Sequence, residues 1–116
     1  MKKAINFRMD NDTLNIIDTI VEQRIINRSY LISAVLEKFI FDSESDAKKA
    51  RANIARIKHF DKVQVPTSKK IGATVEEELF SNFRALIAPM PHDMVINNLL
   101  YHLKDLSPEE LDDYKL

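Results

Sequence analysis

The sequence contains no cysteine, only one glycine and four prolines among its 116 residues. The absence of cysteine excludes disulfide bonds, metal–thiolate sites and cysteine nucleophiles. No apolar run approaches the roughly 18 residues of a membrane-spanning helix, and the N-terminus shows no signal-peptide pattern. Because the apolar fraction is ordinary, the composition predicts an ordered, soluble and cytoplasmic protein with one compact domain or two very small ones.

Residues typical of catalytic or metal-binding sites are few and scattered. His59, His92 and His102 lie far apart in the sequence, and no carboxylate stands at the spacing of a metal ligand set. The acidic run 76–78 suits the N-terminus of a helix, whose dipole favours negative side chains, better than a catalytic or cation site. The sequence contains no phosphate-binding loop motif and no nucleophile–base pair. We therefore expect no enzyme activity, no metal or other cofactor, and no small-molecule ligand.

Charge divides the chain into two unlike parts. Residues 1–62 contain 12 Lys and Arg against 9 Asp and Glu, a net charge of +3. Residues 63–116 contain 5 against 9, a net charge of −4. Such a division can separate a half that faces a polyanion from a half that faces protein or water.

The hydrophobic pattern of residues 3–41 indicates one short strand followed by two helices. Residues 3–9 alternate polar and apolar side chains, which is the period of a strand. Apolar residues then recur at helical spacing, in a first helix that begins at Asp10 or Asp12 and ends near Arg24 or Ile25. The strand has no partner within this stretch, so the unit needs a second copy to pair with.

The second helix of this unit is expected to begin at a cap, Asn27 or Ser29, and to end near Phe41. The polar residues 43–46 either end this helix or form an exposed turn of it. Residues 47–60 follow, rich in Ala, Lys and Arg and without a helix breaker, and they predict a connecting helix with a basic outer face. Its charges either keep the helix solvated or contact phosphate. Pro66 ends the segment.

Residues 70–105 repeat the order of strand, helix and helix, about 66 positions later. Residues 70–75 alternate again, Thr74 and Glu77 form an expected capping box, and Pro89 ends the next apolar-periodic helix. Asp93 is the expected cap of the helix after that. Ser107 and Glu110 form a second capping box that opens a short acidic helix. The phenylalanines at 39, 41, 60, 80 and 83 lie mostly on apolar stripes and are expected in the core. We favour internal duplication, although an unrelated helical module would also explain this half.

Residues 3–41 resemble the ribbon-helix-helix superfamily of DNA-binding proteins, which includes the Arc, MetJ and CopG repressors. Residues 5–10 are similar to the alternating strand of that family, with its acidic residue at the helix start. Residues 26–32, in which Arg28 and Ser29 precede an aliphatic pair, are similar to the turn into its second helix. Residues 70–105 fit the same template more loosely, with residues 90–96 standing where the first copy has 26–32.

In that family, two strands pair into an antiparallel ribbon that enters the DNA major groove. The resemblance implies that outward residues of the ribbon contact base edges and that the amide end of the second helix holds a phosphate. Asn can bond adenine and Arg can bond guanine in a bidentate manner. By position, the base-contacting residues would be Ala4, Asn6, Arg8, Lys70 and Thr74. The residues expected to contact phosphate are Asn27, Arg28, Ser29 and Tyr30, together with the basic residues Lys48, Lys49 and Arg51 of the connector.

The second copy departs from the family pattern at two places. Gly72 replaces a base-reading side chain at an outward strand position, and a glycine allows close approach of the backbone. The turn near Asp93, which also contains Pro89 and Pro91, suits a phosphate poorly. The second copy is therefore expected either to act mainly as the pairing partner of the first or to read only a little through Lys70 and Thr74.

We predict a mainly α fold with a short two-stranded antiparallel ribbon, arranged as tandem ribbon-helix-helix units. The expected divisions are residues 1–43, a basic connector at 44–69, and residues 70–116. Two architectures remain open: an intrachain pseudo-dimer that reads a non-palindromic site, and a symmetric dimer formed by self-association of two chains. The predicted function is sequence-specific binding of double-stranded DNA, by a transcriptional repressor or by an accessory factor of plasmid replication or transfer. The alternative is an interaction module, such as an antitoxin whose acidic half binds a partner.

Overall fold

The structure is a computed structural model that describes residues 1–45, Lys48 and residues 69–116. The described chain is mainly helical, with one two-stranded antiparallel sheet, as the sequence predicted. We call residues 1–45 the first unit and residues 69–116 the second unit. The predicted connector, including the helix expected over 47–60, lies almost wholly outside the described residues. The elements are β1 (Lys2–Met9), α1 (Asn11–Arg24), α2 (Arg28–Ser45), β2 (Lys69–Glu76), α3 (Glu77–Ile87), α4 (His92–Tyr101), a 3-10 helix (His102–Asp105) and α5 (Pro108–Asp112).

The two strands pair with each other in one antiparallel ribbon, so each supplies the hydrogen-bonding partner that the other lacks within its own unit. Asn6 lies opposite Gly72 at the centre of the ribbon. The predicted alternation is confirmed, because one face of the ribbon is buried and the other is exposed. The buried face carries Ile5, Phe7 and Met9 from β1 and Ile71, Ala73 and Val75 from β2.

The helices of the two units interlock beneath the ribbon. Among the helices, α1 packs mainly against α4, and α2 packs mainly against α3. Helix α2 also contacts β2, and α4 contacts β1, so the second helix of each unit lies on the strand of the other. Phe39 of α2 and Phe83 of α3 meet edge to face, with ring centroids 5.6 Å apart. The units therefore share one hydrophobic core.

Local capping explains where several helices begin. The side chain of Asp10 accepts a hydrogen bond from the Thr13 amide at 2.7 Å and caps α1, as predicted. The Asn27 side chain accepts from the Tyr30 amide at 2.7 Å, so Asn27 rather than Ser29 caps α2. The capping box of Ser107 with residue 110 is confirmed at the start of α5.

Three local predictions were wrong. Thr74 does not form a capping box with Glu77, because it lies within β2 opposite Ala4 and the ladder fixes its backbone as extended. Asp93 does not cap α4, which begins after Pro91; Asp93 lies in the first turn instead. Helix α2 continues past the expected end at Phe41, and the ring of Phe41 is 63% exposed rather than part of the core.

None of the helices in the described part of the chain combines the length and the apolar character that a membrane crossing requires.

Candidate nucleic-acid interface

The outer face of the ribbon brings together all of the residues that the sequence predicted to contact bases. Period-two alternation places every second side chain of each strand on this face. The side chains on it are exposed, and they come from Lys2, Ala4, Asn6 and Arg8 of β1 and from Lys70, Thr74 and Glu76 of β2, with Gly72 between them.

The centre of this face is open. A Cβ atom added to Gly72 would lie 3.4 Å from Asn6 Oδ1, so the missing side chain leaves space beside the Asn6 amide group. The backbone of Gly72 does not have a positive φ, so the strand conformation itself does not require glycine. The glycine therefore contributes space over the ribbon rather than an unusual backbone conformation.

The two ends of the outer face differ in charge. At one end, Arg8 lies opposite Lys70, which places two cationic side chains across from each other. At the other end, Lys2 lies opposite Glu76, whose carboxylate also lies 3.3 Å from the N-terminal ammonium group. The pair next to that end consists of the uncharged residues Ala4 and Thr74. Positive charge on the ribbon is therefore concentrated at the Arg8–Lys70 end.

The N-termini of α2 and α4 lie beside the two strands. Ser29 Oγ accepts a hydrogen bond from the Thr74 amide at 2.9 Å, which joins the first turn of α2 to β2. Asp93 Oδ2 accepts a hydrogen bond from the Arg8 amide at 3.1 Å, which joins the first turn of α4 to β1. Each contact satisfies an outward backbone amide at an edge of the ribbon. One helix N-terminus therefore flanks each strand.

The predicted phosphate-contacting residues of the first unit cluster at the start of α2. The Asn27 side chain accepts a hydrogen bond from the Tyr30 amide. The amides of Arg28 and Ser29 are therefore the first-turn donors that have no partner among the described residues. The Arg28 guanidinium donates two hydrogen bonds to Asp18, at 2.8 and 2.9 Å. These bonds raise the pKa of Arg28, against the opposing effect of its slight burial, and the carboxylate offsets part of the Arg28 charge.

The other described residues that were predicted to contact phosphate do not lie together in one place. The Tyr30 hydroxyl donates to the backbone carbonyl of Lys115 at 2.6 Å, so its ring is tied to the C-terminal segment while staying half exposed. Lys48 is exposed and helical. Lys49 and Arg51 lie outside the described residues.

The start of α4 has a different chemistry. Pro91 precedes the helix and offers no side-chain cap, and the Asp93 carboxylate lies 2.8 Å from His92 Nε2. The His92 ring meets Phe80 edge to face, with centroids 5.3 Å apart. The sequence suggested that this turn suits phosphate poorly, but it gave no signal that Asp93 reaches across to β1. That contact joins positions 85 residues apart in the chain.

No family model, curated protein or solved structure matches this chain. Its function is therefore inferred from the chain's own geometry. Among the described residues, no group of three or more His, Asp or Glu side chains is placed to hold a metal ion.

Proposed function

We propose that this protein binds double-stranded DNA sequence-specifically, by inserting the β1–β2 ribbon into the major groove. It would act as a transcriptional repressor or as an accessory factor of plasmid replication or transfer. The observation that carries the proposal is the exposed outer face of the ribbon, on which Asn6, Arg8 and Lys70 stand together around an open centre.

The dimensions of the ribbon suit the groove. Paired strands lie about 4.8 Å apart, and the major groove, about 12 Å wide, admits a two-stranded ribbon. Asn6 has the amide group that pairs bidentately with adenine, and Arg8 has the guanidinium group that pairs with guanine O6 and N7. Lys70 and Lys2 add positive charge toward the phosphates.

We further propose that the two units form an intrachain ribbon-helix-helix pseudo-dimer. The strand register supports this, because Asn6 and Gly72, the positions that match when the repeats are superposed, lie directly opposite each other. A two-fold axis through a ribbon produces that pairing. Ser29 and Asp93 are each the second residue of their helix. They bond the amides of Thr74 and Arg8, each two residues beyond the ribbon centre.

The proposal also gives the start of α2 a role. Helix N-termini attract anions through free backbone amides and the helix dipole. The amides of Arg28 and Ser29 lie beside the ribbon, because Ser29 is bonded to β2. A phosphate at this point would fix the register of the ribbon in the groove without reading sequence.

The proposal is tested by selecting duplexes from a random-sequence pool and measuring the dissociation constant for a selected and a scrambled duplex. Arg8→Ala is expected to reduce discrimination between them by about 1–3 kcal/mol, the value of one bidentate base contact. Lys104→Ala is the matched control, because it also removes one positive charge and its side chain lies with α1 residues in a groove away from the ribbon. We expect the control to bind as the wild type does.

Two results would contradict the proposal. One is wild-type discrimination in the Arg8→Ala variant. The other is an affinity that does not change with salt, because each phosphate contact contributes a slope of about −0.9 to log K against log salt. For the pseudo-dimer, we expect the protein in solution to have the mass of one chain, and we expect one protein chain in each DNA complex.

A further inference from the structure

The two ends of the ribbon differ in charge, whereas the two ends of the ribbon in a symmetric DNA-binding dimer are identical. At one end stand the cations of Arg8 and Lys70, opposite each other. At the other end Lys2 is opposite Glu76, whose carboxylate also pairs with the N-terminal ammonium group, and the neighbouring outward pair is uncharged. The two outward cations that lie opposite each other, Arg8 and Lys70, are therefore at one end of the ribbon, with Asn6 at the centre.

The two helix N-termini that flank the ribbon also differ in charge, and the one that carries a carboxylate lies at the cationic end of the ribbon. Asp93 is bonded to the amide of Arg8, so the α4 N-terminus and its carboxylate lie at the cationic end of the ribbon. Ser29 is bonded to the amide of Thr74, so the α2 N-terminus lies toward the uncharged end. A carboxylate repels a phosphate, whereas a hydroxyl beside backbone amides does not.

Resting on the proposed function, we infer that the protein binds its DNA site in one fixed orientation, with base reading at the Arg8–Lys70 end and backbone anchoring at the Ser29 end. Asp93 is the residue that sets this polarity, because it satisfies the Arg8 amide while excluding phosphate from its own side of the groove. The target is accordingly a non-palindromic duplex whose two halves are recognised by different means.

The wild-type protein provides the first test, on the duplex selected above. Each base pair is substituted in turn, and each phosphate is replaced singly by an uncharged methylphosphonate. Base sensitivity is expected to fall mainly in one half of the site, and phosphate sensitivity mainly beside the other half. Sensitivities that are mirrored about the centre would overturn the inference while leaving DNA binding intact.

A reciprocal exchange of the two helix residues provides the second test. Asp93→Ser replaces the carboxylate by a hydroxyl, which can still accept a hydrogen bond from the Arg8 amide and so copies the contact that Ser29 makes with Thr74. We expect it to bind the selected duplex about 5-fold more tightly, the factor for two unit charges about 4 Å apart in water. It should also gain methylphosphonate sensitivity on the side that was insensitive. Ser29→Asp is expected to bind about 5-fold more weakly and to lose the original phosphate sensitivity.

Asp105→Ser is the control for net charge, because it also removes one acidic side chain but lies in the 3-10 helix rather than beside the ribbon. It is expected to change affinity much less than Asp93→Ser. Equal gains in both variants would mean that net charge, and not the position of Asp93, limits binding, and would overturn the polarity assignment. If the wild type binds no DNA at all, the proposed function fails and this inference fails with it.

Discussion

The two units bury their strands in the same way but have different exposed surfaces. Both present a strand with a buried inner face, and both use their second helix to cover the other unit's strand. Their outer surfaces differ: the first carries Asn6 and Ser29 where the second carries Gly72 and Asp93. A shared core constrains the inward positions of both units, whereas the outward positions are free to take different roles.

The inner faces of the strands are also unequal in size. Strand β1 buries Phe7 and Met9, while the matching part of β2 buries Ala73 and Val75. Strand β1 therefore supplies more of the apolar side-chain volume on the inner face of the ribbon, and α4 packs against it. Neither unit has a complete core of its own, so we expect the two to unfold together.

The largest expected effect comes from breaking the contact between the units. Phe83→Ala removes a fully buried ring that meets Phe39 across the units, and it should lower the free energy of unfolding by about 3–5 kcal/mol. Urea unfolding followed by circular dichroism measures the loss, and hydrogen exchange reports on β1 and β2 separately. Protection should fall in both strands. Phe41→Ala, at a ring that is 63% exposed, is the control and should change stability by less than about 0.5 kcal/mol. Loss of protection in β2 alone would show that the units are independent.

A buried polar residue marks a second difference between the units. Asn98, the seventh residue of α4, is 4% exposed, and within the described residues neither polar atom of its side chain has a partner. The seventh residue of α2 is Ala34. Because an unpaired buried amide costs about 1–3 kcal/mol, Asn98→Leu, of similar shape, should raise the free energy of unfolding by about 1–2 kcal/mol.

The neighbouring residue gives a matched control for Asn98→Leu. Asn97 Oδ1 accepts a hydrogen bond from the Asp10 amide at 3.4 Å, so Asn97→Leu removes a bond rather than an unpaired group. It should lower stability where Asn98→Leu raises it, and thermal unfolding of the two variants measures both. A loss of stability in Asn98→Leu would mean that the amide has a partner, such as a bound water.

Much of the fold followed from periodicity, because a buried face repeats every two residues in a strand and about every 3.6 in a helix. That rule located both strands and the helices of both units. It failed where a local signal competed with long-range pairing. Thr74 and Glu77 have capping-box spacing, but pairing with β1 holds Thr74 in the strand. The polar residues after Phe41 left the end of α2 open, because polar residues can end a helix or continue an exposed one equally well, and α2 continues to Ser45.

The candidate site was only half predictable for the same reason. Alternation alone placed Asn6, Arg8 and Lys70 on an outward face. It could not show that Arg8 would stand opposite Lys70, since register depends on contacts between distant segments. The bonds made by Ser29 and Asp93 to the two strands are likewise long-range, and no local pattern encodes them.

The ends of α1 and α3 provide a smaller contrast. Ile25, the residue after α1, has φ 55° and is 92% exposed, whereas Ala88, the residue after α3, has φ −53°. A β-branched residue is strained in the left-handed region, where glycine is not. Ile25→Gly should therefore raise the free energy of unfolding by about 1 kcal/mol. Ala85→Gly, inside α3, adds similar chain flexibility without relieving strain and should lower stability by about 1 kcal/mol. Destabilisation by both variants would show that Ile25 makes a stabilising contact.

The smallest expected change in stability, and the one that separates folding from binding, is at Gly72. An added Cβ would meet Asn6 Oδ1 at 3.4 Å and the Ile5 carbonyl at 4.0 Å, which are ordinary contacts. Gly72→Ala should therefore raise the free energy of unfolding by about 0.5–1 kcal/mol, because glycine is the less favourable residue within a strand. The same methyl group occupies the centre of the surface that we propose to face DNA. It should weaken binding of the selected duplex by about 1 kcal/mol or more, as overpacking does.

Gly72→Ala is thus expected to change stability and DNA affinity in opposite directions. Urea unfolding measures the stability, and fluorescence anisotropy on the same preparation measures the affinity. Ala4→Gly is the matched reverse change on the same face, and it should lower stability while leaving the centre open. If affinity simply followed ribbon stability, Gly72→Ala would bind DNA more tightly than the wild type and Ala4→Gly more weakly. A Gly72→Ala variant that is both more stable and at least as tight in binding would therefore mean that base edges do not approach the ribbon at its centre.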